Sequence, residues 1–223
     1  MATHDESAGF SSQSVWSGDG RTVYFSNADG SLLAKDARGL SKTRTLLGGG
    51  VANQYACSAA PDGSALAVQS QQSATGWDLG IVPLAGEAKL KPFLTTPANE
   101  REARFSPDGK WLAYLSDESG RNELYLVPYP GPGGKWQISP AGAEEGVWLS
   151  ATELGFWQDR KLFAVTLRFD EGGLTVDPPR RDPGARLPSV AVTPRPAARP
   201  LAAAMRRPAS HPPWREGAST SRG

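Results

Sequence analysis

Three times along the 223-residue chain a small residue, a spacer and Asp-Gly lead directly into an alternating apolar run. The copies are "SGDGRTVYFS" from Ser17, "APDGSALAVQS" from Ala60 and "SPDGKWLAYLS" from Ser106. Their turn aspartates, Asp19, Asp62 and Asp108, stand 43 and 46 residues apart. Aspartate in such a place hydrogen-bonds its own turn, and the following glycine supplies positive φ without steric cost. A fourth unit, "GVWLSATELGFWQDRKLFAVTL" from Gly146, keeps the strand pattern without the Asp-Gly. Trp16, Phe105 and Trp148 occupy matching places just ahead of the turn region. A regular spacing of this size marks a repeat architecture.

The third repeat shows what each unit contains. Period-two runs over 102–106, 110–116, 123–129 and 135–139 are separated by Asp-Gly, by "DESGRN" and by "PGPGG". Four short strands in a unit of about 40–45 residues predict a propeller blade, one antiparallel sheet that buries its faces on its neighbours. A helical solenoid would need apolar residues every 3.6 positions instead of every second one. Pro83 and Pro128 fall at the same point of successive third strands, a place near a strand end where no ladder donor is needed. The expected fold is all-β: a partial β-propeller of about four blades over 9–50, 51–98, 99–143 and 144–177. Residues 1–8 are expected to be disordered.

Composition divides the chain at about Asp177. Residues 178–223 carry nine Arg, no Lys, two acidic residues and ten of the 19 prolines, without clean alternation. Such a segment cannot bury enough apolar surface to offset chain entropy and is expected to be a disordered Pro/Arg-rich tail. Its Arg, Pro, Ala, Gly and Ser bias also fits out-of-frame translation of a GC-rich gene. The first 177 residues carry net negative charge instead. No apolar run approaches the ~20 residues that span a bilayer, and the polar opening shows no leader pattern. The chain as written is expected in the cytoplasm, and outside it if this is part of a longer family member. The single cysteine, Cys57, reads as a small buried residue.

"ARFSPDGKWLAYLSDESGRNELYLVPYPGPGGKWQIS", residues 103–139, resembles the WD-like propeller repeat of the TolB type. Within that family "VPYPGPGGKWQIS" is similar to repeats at the C-terminal end of bacterial serine/threonine receptor kinases. No kinase motif accompanies it. The resemblance implies a bacterial protein-binding module. The alternative is the sensor propeller of such a kinase, or the non-catalytic propeller of a serine peptidase. A partial propeller also leaves open blade edges, through which self-association is expected.

Chemistry of the catalytic kind is not expected. The two histidines, His4 and His211, both lie in the segments read as disordered, which removes the usual base near neutrality. No Gly-x-Ser-x-Gly elbow occurs. The turn aspartates lack the dense Asp-x-Asp spacing of a calcium loop, and the glycine clusters lack the Lys-Ser/Thr of a phosphate cradle. No catalytic residue, metal or cofactor is therefore assigned. The arginine tail suits at most non-specific electrostatic contact with nucleic acid. Binding is expected instead at the loops that enter each innermost strand, which carry Asn53 and Gln54, Glu100 and Arg101, and Glu144 and Glu145. Trp77, in the apparent loop "TGWDLG", joins them as a surface contact. Their mostly acidic character points to a basic or polar protein or peptide partner.

Overall fold

The computed structural model describes residues 14–49, 53–131, 133–170 and 173–182. The expected N-terminal segment 1–8 and both histidines lie outside the described residues, as does the tail from residue 183 onward.

Each repeat folds into its own antiparallel sheet. The first comprises β1 (Ser14–Trp16), β2 (Thr22–Ser26), β3 (Leu32–Asp36) and β4 (Arg44–Leu47). The second comprises β5 (Gln54–Ala59), β6 (Ala65–Gln72), β7 (Gly76–Pro83) and β8 (Lys91–Leu94). The third comprises β9 (Glu100–Phe105), β10 (Trp111–Ser116), β11 (Glu123–Pro128) and β12 (Trp136–Gln137). The fourth comprises β13 (Glu145–Ser150), β14 (Glu153–Gln158), β15 (Lys161–Asp170) and β16 (Gly173–Val176), with β17 (Arg180–Arg181) also paired to β15. No helix among the described residues is long and apolar enough to cross a membrane.

The Asp-Gly turns behave as their chemistry requires. Asp19 accepts from the Ser17 hydroxyl at 2.7 Å and Asp108 from the Ser106 hydroxyl at 2.6 Å. Asp62 accepts from the Ser64 hydroxyl at 2.7 Å. Gly20, Gly63 and Gly109 follow with φ of 67°, 73° and 72°, a left-handed region open to glycine without a Cβ penalty. Pro83 and Pro128 close β7 and β11 beyond the last residues paired to the outer strand, Ile81 and Leu126. Their missing N–H groups cost nothing there.

Alternate residues of the middle sheets face opposite neighbours. Leu66 and Val68 of β6 join Tyr24 and Leu32 of the first sheet, while Ala65 and Ala67 join Leu112 and Tyr114 of the third. Ala113 and Leu115 of β10 join Leu154 and Phe156 of the fourth. Strands buried on both faces read as nearly continuous apolar runs, and β10, β11 and the first half of β6 do so. Among the described residues no core cluster joins the first sheet to the fourth. Trp16, which ends β1 at the place Phe105 holds in the third blade, is 59% exposed for that reason. Val147 and Leu149 of the fourth sheet are also exposed.

The fourth sheet replaces Asp-Gly with tighter hairpins. Ser150 pairs with Glu153 across Ala151-Thr152, and Gln158 with Lys161 across Asp159-Arg160. Asp159 and Arg160 hold φ of 48° and 61°, as a two-residue hairpin of this hand demands. Along the outer edge of β15, β16 and β17 run in succession, with Pro178 and Pro179 in the interval. The ladder of the fourth sheet thus runs past residue 177. Arg180 and Arg181 complete the edge, and Arg180 also pairs with Glu153.

Arg160→Gly is expected to stabilise the chain by about 1 kcal/mol, because the left-handed conformation costs an L-residue roughly that amount. Denaturant unfolding of the two proteins measures the difference.

Candidate functional site

The innermost strands β1, β5, β9 and β13 gather about one cavity of roughly 320 Å³. β1 contributes Ser14 and Val15, and β5 contributes Ala56 and Cys57. The charged lining comes from the later blades: Glu102 and Arg104 of β9, Glu145 of β13 and Glu144 just ahead of it. Arg104 donates to the Cys57 carbonyl at 3.0 Å and lies 3.8 Å from the Glu145 carboxylate. Three carboxylates and one guanidinium leave the lining net negative.

Strand irregularities aim this lining. The β5–β6 register shifts between Ala56 and Ser58, and the β9–β10 register shifts between Arg101 and Arg104. Such bulges insert a residue and redirect side chains. Glu102 sits in the second of them with φ 56°, and its N–H donates to Gln69 Oε1 at 2.9 Å. Cys57, in the first, is buried, and burial pushes its thiol up to about 11. It therefore stays protonated and unreactive at neutral pH, in keeping with a packing role.

The residues expected to form the binding surface occupy different surroundings. Glu144 and Glu145 are exposed and line the cavity. Asn53 is exposed and donates to Gln71 Oε1 at 2.9 Å; with Gln54 it borders a smaller recess near Asn27. Arg101 donates to Asn122 Oδ1 at 3.2 Å. Gln54 and Glu100, expected on loops, instead begin β5 and β9 and are 3% and 1% exposed. Trp77 lies in β7, half-buried with its ring 5.7 Å from that of Tyr55. The inner strands start earlier than the alternation suggests because the polar residues at their first positions pair in the ladder, Gln54 with Ser70 and Glu100 with Ser116.

The chain matches no protein-family model and no curated protein by sequence. By structure it is similar to TolB from Acinetobacter baumannii, with TM-score 0.56 and 14% identity over 75% of this chain and 42% of that one. A chain of a nidogen/laminin complex gives TM-score 0.56 and 12% identity, over 74% and 62%. A puromycin-hydrolyzing peptidase from Mycobacterium tuberculosis gives 0.55 and 19%, over 76% and 30%. This chain is four blades of a β-propeller. It spans less than half of the TolB chain that it matches.

In a propeller the inner strands face the central axis, and Glu102 and Arg104 line the cavity from that position. From sequence Glu102 reads as a solvated charge beside Glu100, and Arg104 as a polar member of an alternating strand. In "EREARF" the buried Ala103 and Phe105 alternate with Glu102 and Arg104. The turn carboxylates Asp19, Asp62 and Asp108 are held below the usual carboxylate range. Hydroxyl hydrogen bonds do this at Asp19 and Asp62; at Asp108 burial acts upward, and the Ser106 and Lys110 donors outweigh it. Among the described residues no three His, Cys, Asp or Glu converge as metal ligands.

Glu100 is a different case. Thr96 donates to Oε1, Oε2 has no partner, and burial pushes the carboxyl above its usual 4.5. The negative charges of Asp78 and Glu118 act in the same direction. A raised folded-state value means that Glu100 contributes stability below pH 4.5 and loses it as pH rises through that value. Glu100→Gln is therefore expected to raise the melting temperature at neutral pH, with the gain shrinking as pH is lowered toward 4.5. Thermal unfolding of both proteins across that range checks the sign.

Proposed function

We propose that the chain is a non-catalytic propeller module that binds a basic segment of a protein or peptide partner at the cavity between its inner strands. The convergence of Glu102, Glu144 and Glu145 on that cavity carries this reading. They come from adjacent blades, and a net-negative concavity with low-dielectric walls concentrates cationic partners. The left-handed backbone at Glu102 adds support, since strained residues cluster where a side chain is held for function. The TolB and nidogen likenesses fit a protein-binding propeller.

A second reading, the propeller portion of a longer peptidase, is favoured by the likeness to the puromycin-hydrolyzing enzyme, of which this chain spans 30%. A hydrolase domain encoded beside this chain would identify it. Self-association belongs to either reading. The outer faces that carry Trp16 on the first blade, and Val147 and Leu149 on the fourth, offer the apolar surface for it. Light scattering that stays monomeric across concentration would remove that part.

The central cavity is tested by fluorescence anisotropy with a labelled Lys/Arg-rich decapeptide and an acidic control. Glu144→Lys combined with Glu145→Lys is expected to weaken binding of the basic peptide about tenfold or more, with a steep salt dependence in the parent. Equal binding by the parent and the doubly substituted chain, or equal binding of the two peptides, would refute the assignment.

A further inference from the structure

The repeat lets one carboxylate be compared with its own counterpart in the next blade. Ser116 pairs with Glu123 in the third blade, and Ser70 pairs with Asp78 in the second, so Asp78 and Glu123 hold the same position. Both are buried, Asp78 at 6% exposed and Glu123 at 0%. Their surroundings differ. Glu123 receives the Arg121 guanidinium at 2.8 Å, the Gln137 amide, and the Tyr125 hydroxyl at 3.4 Å.

The second blade lacks all three of those donors. Gly76 stands two residues before Asp78, where Arg121 stands before Glu123. Gly80 pairs with Val68 as Tyr125 pairs with Tyr114, and Pro92 pairs with Gly80 as Gln137 pairs with Tyr125. Thr75 donates to Asp78 Oδ2 at 2.8 Å, and Oδ1 has no partner. Asp78 belongs to none of the ion pairs among the described residues. A buried carboxylate left without a cation or a full set of donors is costly.

A cavity of about 350 Å³ adjoins it, with Ser70, Gln72 and Thr75 as polar lining and Leu90 and Pro92 as apolar wall. A carboxylate with polar neighbours on one side and an aliphatic wall on the other matches a cation on an apolar stem. The third blade supplies the template, since a guanidinium neutralises the carboxylate there. We propose that the Asp78 cavity receives the guanidinium of an arginine side chain from a protein partner. This site is separate from the central cavity and does not depend on Glu144 or Glu145.

The test is titration of the full chain with N-acetyl-arginine N-methylamide, beside its lysine and citrulline counterparts, followed by amide NMR shifts. Saturable shifts are expected at residues 70–80 and 90–95, strongest for the arginine compound. The uncharged citrulline compound should bind about tenfold or more weakly, as expected when a charge-assisted hydrogen bond is lost. Asp78→Asn should abolish the shifts. Pro92→Gln, which places an amide where Gln137 stands in the third blade, should weaken them by a similar factor. It decides the matter if Asp78→Asn does not fold.

Absence of saturable shifts, equal binding of citrulline and arginine compounds, or full binding by Pro92→Gln would each overturn the proposal. So would calcium saturating the same amides and displacing the arginine compound, which would make this a metal site.

Discussion

The structure depends on sheets packing face to face. A four-stranded sheet of this size has two sides and cannot bury either by itself, so each blade is stable only against its neighbours. Leu66 and Val68, Leu112 and Tyr114, and Leu154 and Phe156 face the preceding blade, while Ala65, Ala67 and Ala113 face the following one. Leu79, Ile81, Leu115, Leu124 and Leu126 join the alanines on the sides that face the following blade, so the two sides interdigitate and the interfaces stay close-packed. Each fully buried leucine adds about 1.5–3 kcal/mol of transfer free energy. That sum is available only while the neighbouring sheet stays in place.

The same constraint decides where polar chemistry can sit. Both faces of the middle blades are committed to packing, and the Asp-Gly turns commit their carboxylates to local hydroxyl and amide donors. What remains is the inner strands, whose bulges turn Glu102 and its neighbours toward the central cavity, and the strand ends, where ladder pairing and burial compete. Gln54, Glu100 and Glu123 begin their strands, and Asp78 lies two residues into its own. The fold thus produces two kinds of polar residue, those open to a central space and those enclosed between blades.

Much of this was legible in the residues, for physical reasons that also mark its limits. Strand periodicity and the Asp-Gly turn are local signals, and β2 at "TVYFS", β10 within "KWLAYLS" and β11 within "ELYLVPY" fall where the alternation predicts. Glu144 and Glu145 sit where the loop into the fourth inner strand gives way to β13, a junction that the turn residues ahead of them announce. Glu100 was misplaced because its charge suggests solvent while its position, paired with Ser116, puts it in the ladder. Glu102 and Arg104 were hidden for a related reason: a bulge changes which face a residue shares, and nothing in a period-two pattern announces one. Trp16 shows the third limit. Its strand looks like a core strand, and only the missing neighbour leaves it exposed.

Repetition also sharpens what a single buried polar group can say. Ordinarily an unpartnered carboxylate invites any of several explanations. Here the backbone has built the same position twice, so the second copy serves as a control for the first. Glu123 shows that the position tolerates a buried carboxylate when a guanidinium, an amide and a phenol surround it. Asp78 shows the same position with Gly76, Gly80 and Pro92 in their places, and an open volume beside it. Stability alone would favour replacing the acid once its partners were gone, since a buried charge without a counter-ion opposes folding. The carboxylate at Asp78 is therefore explained by what it meets on binding, where the partner brings the cation that the blade does not.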